Sequence, residues 1–194
     1  DYKGKKKINL YDEVKSSKIY VEPFGGSFNA GFNLLASGYT GKVIYNDLDK
    51  ELVDFWNRVK SGNINLETDE TWLKYRGNRG ITNNTFEKLL NNIEWLQQVE
   101  ILNMKYQEVL QLYNREEVYM FIDPPYIMQS KYNCGVDHVK LADEIRKLRC
   151  KWLLTYNDRP EVHDMYKEFS IEETSRTLYK KKYTELYIRG NRYE

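Results

Sequence analysis

Cysteine is nearly absent: Cys134 and Cys150 are the only two in 194 residues. Two cysteines cannot build a disulfide framework, which argues against a small bridged secreted scaffold and fits a reducing, cytoplasmic compartment. Histidine is as scarce, with His138 and His163 alone. Ligands so few, and without the usual spacing, argue against a zinc or other resident metal site. No run of 18 apolar residues occurs, which excludes a membrane-spanning helix and any membrane partner of that kind. The first seven residues are polar and basic with no apolar stretch behind them, so no signal peptide is expected. The chain opens on Asp1 rather than methionine, and the natural start is expected upstream. An excess of one charge is missing too: 30 Lys and Arg against 29 Asp and Glu leave +1, so global charge points to no partner.

What is present describes one globular domain. The length suits a single hydrophobic core, and 41% hydrophobic with 30% charged residues is not the composition of a disordered chain. The charges are unevenly spread. Residues 1–18 hold six lysines against three acids, and residues 175–192 hold six Lys and Arg against Glu185 alone. Residues 161–173 reverse the balance with five acids. Seventeen tyrosines are unusual. Tyrosine stacks on bases and bonds phosphates, so its mixing with basic residues is compatible with nucleic acid.

Strand and helix signals alternate along the chain. Short apolar runs predict strands at 19–24, 42–46, 99–103, 118–122 and 152–155, with two more near 170–174 and 184–189. Helical spacing predicts helices at 29–37, 49–60, 86–96, 106–113, 139–148 and 159–168, the last with Pro160 in its first turn. Residues 61–83 are polar and glycine-punctuated and read as an insertion or loop. Alternation with short connections predicts an α/β fold with a mainly parallel sheet. Ligands of such sheets sit beyond the carboxyl ends of the strands. Gly25-Gly26, Asp47 and Asp123 each follow a strand, so all three are expected on one edge.

Two constellations carry chemistry. In Glu22-Pro23-Phe24-Gly25-Gly26-Ser27, a glycine turn after the first strand lets a ligand approach the backbone. Asp47, 22 residues after Gly25, ends the next strand where an acid typically bonds ribose hydroxyls. The third glycine of a pyrophosphate loop is missing, which argues against NAD and allows an adenosine cofactor without phosphate. The second constellation is Asp123-Pro124-Pro125-Tyr126. Each proline fixes its φ and restricts its predecessor, so the turn is stiff. It holds the Asp123 carboxylate and the Pro124 carbonyl as two acceptors beside the flat ring of Tyr126. Two acceptors and a ring suit a planar base bearing an amine. Accepting both amine hydrogens favours a pyramidal nitrogen and aims its lone pair at an electrophile, by positioning and electrostatics alone.

With these motifs in this order, the sequence resembles the D12 class (Dam family) of DNA adenine methyltransferases. The resemblance covers nearly the whole chain and implies a Rossmann-like methyltransferase fold, with a mostly parallel seven-stranded sheet and an antiparallel last strand. It implies methyl transfer from S-adenosylmethionine to N6 of a flipped adenine in double-stranded DNA. Tyr2, Lys3, Gly4 and Lys5 match the N-terminal motif that contacts the methionine moiety. Glu22, Pro23, Phe24, Gly25, Gly26 and Ser27 match the cofactor loop, and Asn46-Asp47 the ribose motif, with Asp47 the ribose ligand. Asp123, Pro124, Pro125 and Tyr126 match the catalytic tetrapeptide, with Tyr126 stacking on the base. Residues 152–158 and 185–191 match the following and closing strands.

The resemblance divides the chain into a catalytic domain, 1–56 with 99–194, and a small inserted target-recognition region, 57–98. Lys74, Arg76, Asn78 and Arg79 are its candidates for DNA contact, with Arg reading guanine or holding phosphate. So small a region implies a short site or a partner's help; the chain itself is expected as a monomer or weak dimer. One departure stands out: where the family carries an acid after the third strand, this chain has Lys105 beside Tyr106. Two alternatives stay open. One is adenine methylation in structured RNA. The other, motivated by Lys105 and the short insertion, is a DNA-binding subunit that has lost turnover. Cytosine-N4 and glutamine methylases more often carry Ser or Asn in place of Asp123.

Overall fold

In the computed structural model of the chain, the described residues are 9–65, 67–75, 93–127, 135–178 and 181–190. Five strands run parallel: β1 (Ile19–Glu22), β2 (Lys42–Asn46), β3 (Val99–Leu102), β4 (Val118–Ile122) and β5 (Lys151–Asn157). β6 (Ser170–Leu178) and β7 (Lys181–Gly190) form a hairpin, and β7 enters the sheet antiparallel to β5. The order across the sheet is β3-β2-β1-β4-β5-β7-β6. This is the expected α/β architecture, seven-stranded and mostly parallel with an antiparallel last strand.

The helices are α1 (Leu10–Val14), α2 (Asn29–Ala36), α3 (Lys50–Lys60), α4 (Glu70–Tyr75), α5 (Tyr106–Leu112), α6 (His138–Arg146) and α7 (Pro160–Met165). Helices cover both faces of the sheet, so the central strands are buried on both sides and read as nearly unbroken apolar runs. Tyr20, Val43, Tyr45 and Tyr119 face one core with Phe28, Phe32, Phe55 and Trp56; Val21, Ile44, Met120 and Ile122 face the other with Val109, Leu141, Ile145 and Val162. Burial of that apolar surface, at about 25 cal/mol per Å2, drives the fold.

Several elements differ from the sequence reading. The first strand stops at Glu22, because the chain turns into the glycine loop there. The 61–83 loop contains α4, which the polar composition hid: Asp69 Oδ1 accepts from the Trp72 amide at 2.8 Å and starts the helix, and Trp72 is buried. Of the helix expected over 86–96, residues 86–92 lie outside the described residues, and Ile93–Gln98 is a 3-10 helix. α7 ends at Met165, three residues early. α1 gave no signal because it has five residues and one buried side chain. The hairpin strands run well past the apolar positions that marked them, since pairing with each other satisfies polar stretches too.

Candidate active site

The parallel strands end together on one edge, and the motif residues follow them there. β1 lies between β2 and β4, so Glu22 has the end of β2 on one side and the turn after β4 on the other. Gly25 N–H donates to the Asn46 carbonyl at 2.7 Å, which folds the glycine loop onto β2. Gly26 has φ +50°, and the space where its side chain would be is open. Its N–H donates to Asp47 Oδ2 at 2.8 Å, while Asp47 Oδ1 accepts from the Asp49 amide at 2.9 Å. The Gly26 carbonyl accepts from the Tyr45 hydroxyl and from Trp56 Nε1. A Cβ at Gly25 would lie 2.2 Å from the Tyr45 ring, so only glycine fits. Phe28, after the loop, holds a left-handed φ of +57°, a cost on the order of 1–3 kcal/mol borne by packing on Phe32 and Tyr45. The loop is thus bonded to β2 and α3 beneath and open above Gly26, beside a carboxylate whose oxygens are acceptors of the kind that suits ribose hydroxyls.

Asn46 ties three segments together. Its Nδ2 donates to the Pro23 carbonyl (2.9 Å) and the Met104 carbonyl (3.0 Å), and its Oδ1 accepts from the Met104 amide (2.9 Å). It is wholly buried, at 0% exposure. The sequence marked it only as the neighbour of Asp47. Phe24 packs on Tyr106 with ring centroids 5.1 Å apart, and Ser27 accepts from Asn29 Nδ2 at 2.9 Å. Lys105 is exposed and caps α5, its amide donating to Glu108 Oε2 at 3.0 Å.

Glu22 is only 2% exposed. Burial pushes its carboxyl up to about 8, against the Tyr20 hydroxyl (2.8 Å) and the Gly31 amide, which favour the charge; Asp123 adds to the rise as a nearby negative group. Glu22 and Asp123 therefore sense one another across adjacent strands.

The Asp123-Pro124-Pro125-Tyr126 turn leaves β4 with Asp123 exposed and Pro124 buried. Asp123 Oδ1 accepts from the Thr155 hydroxyl at 2.5 Å. Tyr126 is half-buried; its hydroxyl donates to Glu185 Oε1 at 2.7 Å, and its ring lies 6.0 Å from that of Tyr156. Burial, with Asp123 and Glu185 beside it, holds the Tyr126 hydroxyl in its neutral form well above the usual range. Tyr156 meets His138 Nδ1 at 2.7 Å, and burial lowers the affinity of that imidazole for a proton. Sequence reasoning missed Thr155 and Glu185 as site residues, though both stood in the stretches that follow the tetrapeptide.

The structure thus gathers Glu22–Ser27, Asp47 and Asp123–Tyr126 on one edge. Tyr2, Lys3, Gly4, Lys5, Arg76, Asn78 and Arg79 lie outside the described residues. Lys74 is exposed on α4 and pairs with Glu51 of α3. Among the described residues no helix is long and apolar enough to cross a membrane, and no cluster of metal-ligating side chains occurs.

The family described as D12 class N6 adenine-specific DNA methyltransferase matches residues 73–179. That stretch is more than half of the chain and encloses Asp123–Tyr126 and β5. A search of curated proteins finds no match. Among solved structures, a SAM-dependent methyltransferase from Agrobacterium tumefaciens is similar over 93% of this chain and 58% of its own, with a TM-score of 0.55 and 14% identity. TrmK of M. capricolum, solved with the cofactor product S-adenosylhomocysteine, is similar over 95% of this chain and 67% of its own, with a TM-score of 0.54 and 10% identity. Both likenesses are of fold.

Proposed function

Because the chain belongs to the D12 class N6 adenine-specific DNA methyltransferase family, we propose that it moves a methyl group from S-adenosylmethionine to N6 of adenine in double-stranded DNA, within a short sequence and on a flipped base. The observation that carries this reading is the meeting of Asp123 with the glycine loop at one sheet edge. Asp123 leaves β4, Glu22 leaves the neighbouring β1, and Asp47 is bonded to Gly26 from β2.

When bound, S-adenosylmethionine supplies an electrophilic methyl on a sulfonium. This chain's residues do the rest. Asp47 and the bare backbone at Gly26 hold the ribose end, beside Glu22, Pro23, Phe24, Gly25 and Ser27. Tyr2, Lys3, Gly4 and Lys5 hold the methionine end. Asp123 and the Pro124 carbonyl accept hydrogen bonds from the two amine hydrogens, which localises the nitrogen lone pair, and once methylated the nitrogen sheds one of those protons to solvent past the exposed Asp123 carboxylate; Pro125 keeps the turn stiff, and Tyr126 offers its ring to the base. A flipped base is needed because N6 within the duplex stack is out of reach of the turn. Residues 57–98, with Lys74, Arg76, Asn78 and Arg79, form the recognition region that meets DNA.

Incubation with methyl-labelled S-adenosylmethionine and mixed-sequence duplex DNA tests the reading, with label expected in N6-methyladenine. Asp123→Ala should lower kcat by about 10^2- to 10^3-fold, in the range for losing an oriented electrostatic contact, while sparing DNA binding. Bound cofactor with no label on adenine, or label on RNA alone, would overturn it.

A further inference from the structure

Side-chain hydrogen bonds fasten the turn after β4 to the strands beside it, and Thr155 meets both Asp123 and the Tyr126 hydroxyl. Thr155 donates to Asp123 Oδ1 at 2.5 Å, Tyr126 donates to Glu185 Oε1 at 2.7 Å, and Asn157 Nδ2 donates to the Ile127 carbonyl at 3.4 Å. The strand register creates all three. β4 and β5 are parallel with Ile122 beside Leu154, so Asp123 and Thr155 fall side by side just beyond the last pair. Thr155 and Asn157 lie two apart and share a face of β5. On the far side β7 places Glu185 opposite Asn157. β7 is antiparallel, so its first half arrives at the edge where the parallel strands end.

The terminal torsion of an aspartate is broad and turns easily. A donor fixed on one oxygen sets the plane of the carboxylate and so the direction of the other oxygen. Thr155 is suited to fixing it. The residue is itself 3% exposed, though the carboxylate it meets is exposed, and a donor to a carboxylate makes one of the stronger protein hydrogen bonds. Tyr126 is held likewise, since a ring tethered through its hydroxyl cannot swing.

We infer that Thr155 and Glu185 are positioning residues for methyl transfer. Thr155 sets the plane of the Asp123 carboxylate against the amine, and Glu185 sets the ring of Tyr126 against the base; neither touches the substrate. The inference rests on the reading that this site methylates adenine.

The test compares wild type, Thr155→Val, Thr155→Ser, Glu185→Leu and Glu185→Gln, using labelled S-adenosylmethionine and plasmid DNA that carries no methyladenine. Thr155→Val should lower kcat by about 10- to 100-fold, the fold-change of one lost hydrogen bond to a charged group, with the KM for cofactor and the melting temperature little changed. A carboxylate that loses a donor is protonated more readily, so the acid limb of its rate profile should move to higher pH. Thr155→Ser, which keeps the hydroxyl, should recover to within about threefold of wild type, on the same hydrogen-bond argument. Glu185→Leu should raise the KM for DNA more than it lowers kcat, and Glu185→Gln, which keeps an acceptor, should restore it. Thr155→Ala takes the place of Thr155→Val if that protein is unfolded.

An active wild type whose Thr155→Val form keeps kcat and an unmoved acid limb overturns the inference and leaves the functional reading standing. So does a folded Thr155→Ser as slow as Thr155→Val, because the hydroxyl would not then be what matters. A wild type that binds cofactor but methylates no adenine overturns the functional reading, and the inference falls with it.

Discussion

Glu22 shows how burial and neighbours set one residue's chemistry. Its carboxyl titrates near 8 rather than near 4.5 because it is enclosed between Tyr20 and the start of α2, with Asp123 adding to the rise. At neutral pH it keeps its proton, and Asp123 is spared a like charge on the adjacent strand. The same shift carries a stability cost of definite sign. Between pH 4.5 and 8 the folded chain holds a proton that the unfolded chain has released, so stability falls as pH rises through that window and levels off above it. Over the whole window the loss is on the order of 3–5 kcal/mol. Thermal melting from about pH 5 to about pH 9 should show this decline, and Glu22→Gln, which does not titrate, should flatten most of it. A variant curve parallel to wild type would refute the assignment. The glutamate was visible in the sequence as a member of the glycine motif; its protonation was not, because it depends on burial by segments far apart in the chain, with Asp123 adding to it.

Among the elements, the strand ends matter more than the strands. Asn46 is the last residue of β2, yet it holds the chain just after β1 and just after β3 as well. Asn46→Ala would leave the Pro23 carbonyl and both backbone groups of Met104 without these partners in a buried place. It should cost about 2–4 kcal/mol in urea denaturation, by the penalty for buried unsatisfied groups, and should weaken cofactor binding more than tenfold. A stable variant with normal cofactor affinity would show that the three segments hold themselves. This part of the site was half legible. The strands KVIYN and VYMFI were read to their observed ends because unbroken apolar runs allow little else in a buried parallel sheet. α4 was hidden because six residues set in a polar, glycine-punctuated stretch, one buried tryptophan among them, are too few to show a period. Thr155 and Glu185 stood in plain view, but what they touch follows from register between strands far apart in sequence, which one strand's pattern cannot report.

For the molecule as a whole, the beginning of the described chain is bound to its end. Arg189 on β7 is 5% exposed and pairs with Glu13 of α1 at 2.9 Å and Glu172 of β6 at 3.2 Å; Tyr119 of β4 donates to the same Glu13 at 2.6 Å. Removing one partner of a buried pair costs about 3–5 kcal/mol, but both acids here reach water in part, so Arg189→Met should cost about 2–3 kcal/mol. Chemical denaturation measures it, and adding Glu13→Gln should recover part of the loss; equal stability of wild type and Arg189→Met would mean the pairs contribute nothing net. The topology also bears on anyone who would move this chemistry elsewhere. Copying Asp123–Tyr126 into the end of a strand in a foreign scaffold transplants the turn without Thr155 and Glu185, to which it is bonded here. A graft that keeps the turn with its bonded partners must bring two further strands, one of them reversed, so that turn travels as a three-strand panel and not as a four-residue cassette, and the glycine loop and Asp47 must travel with it on β1 and β2.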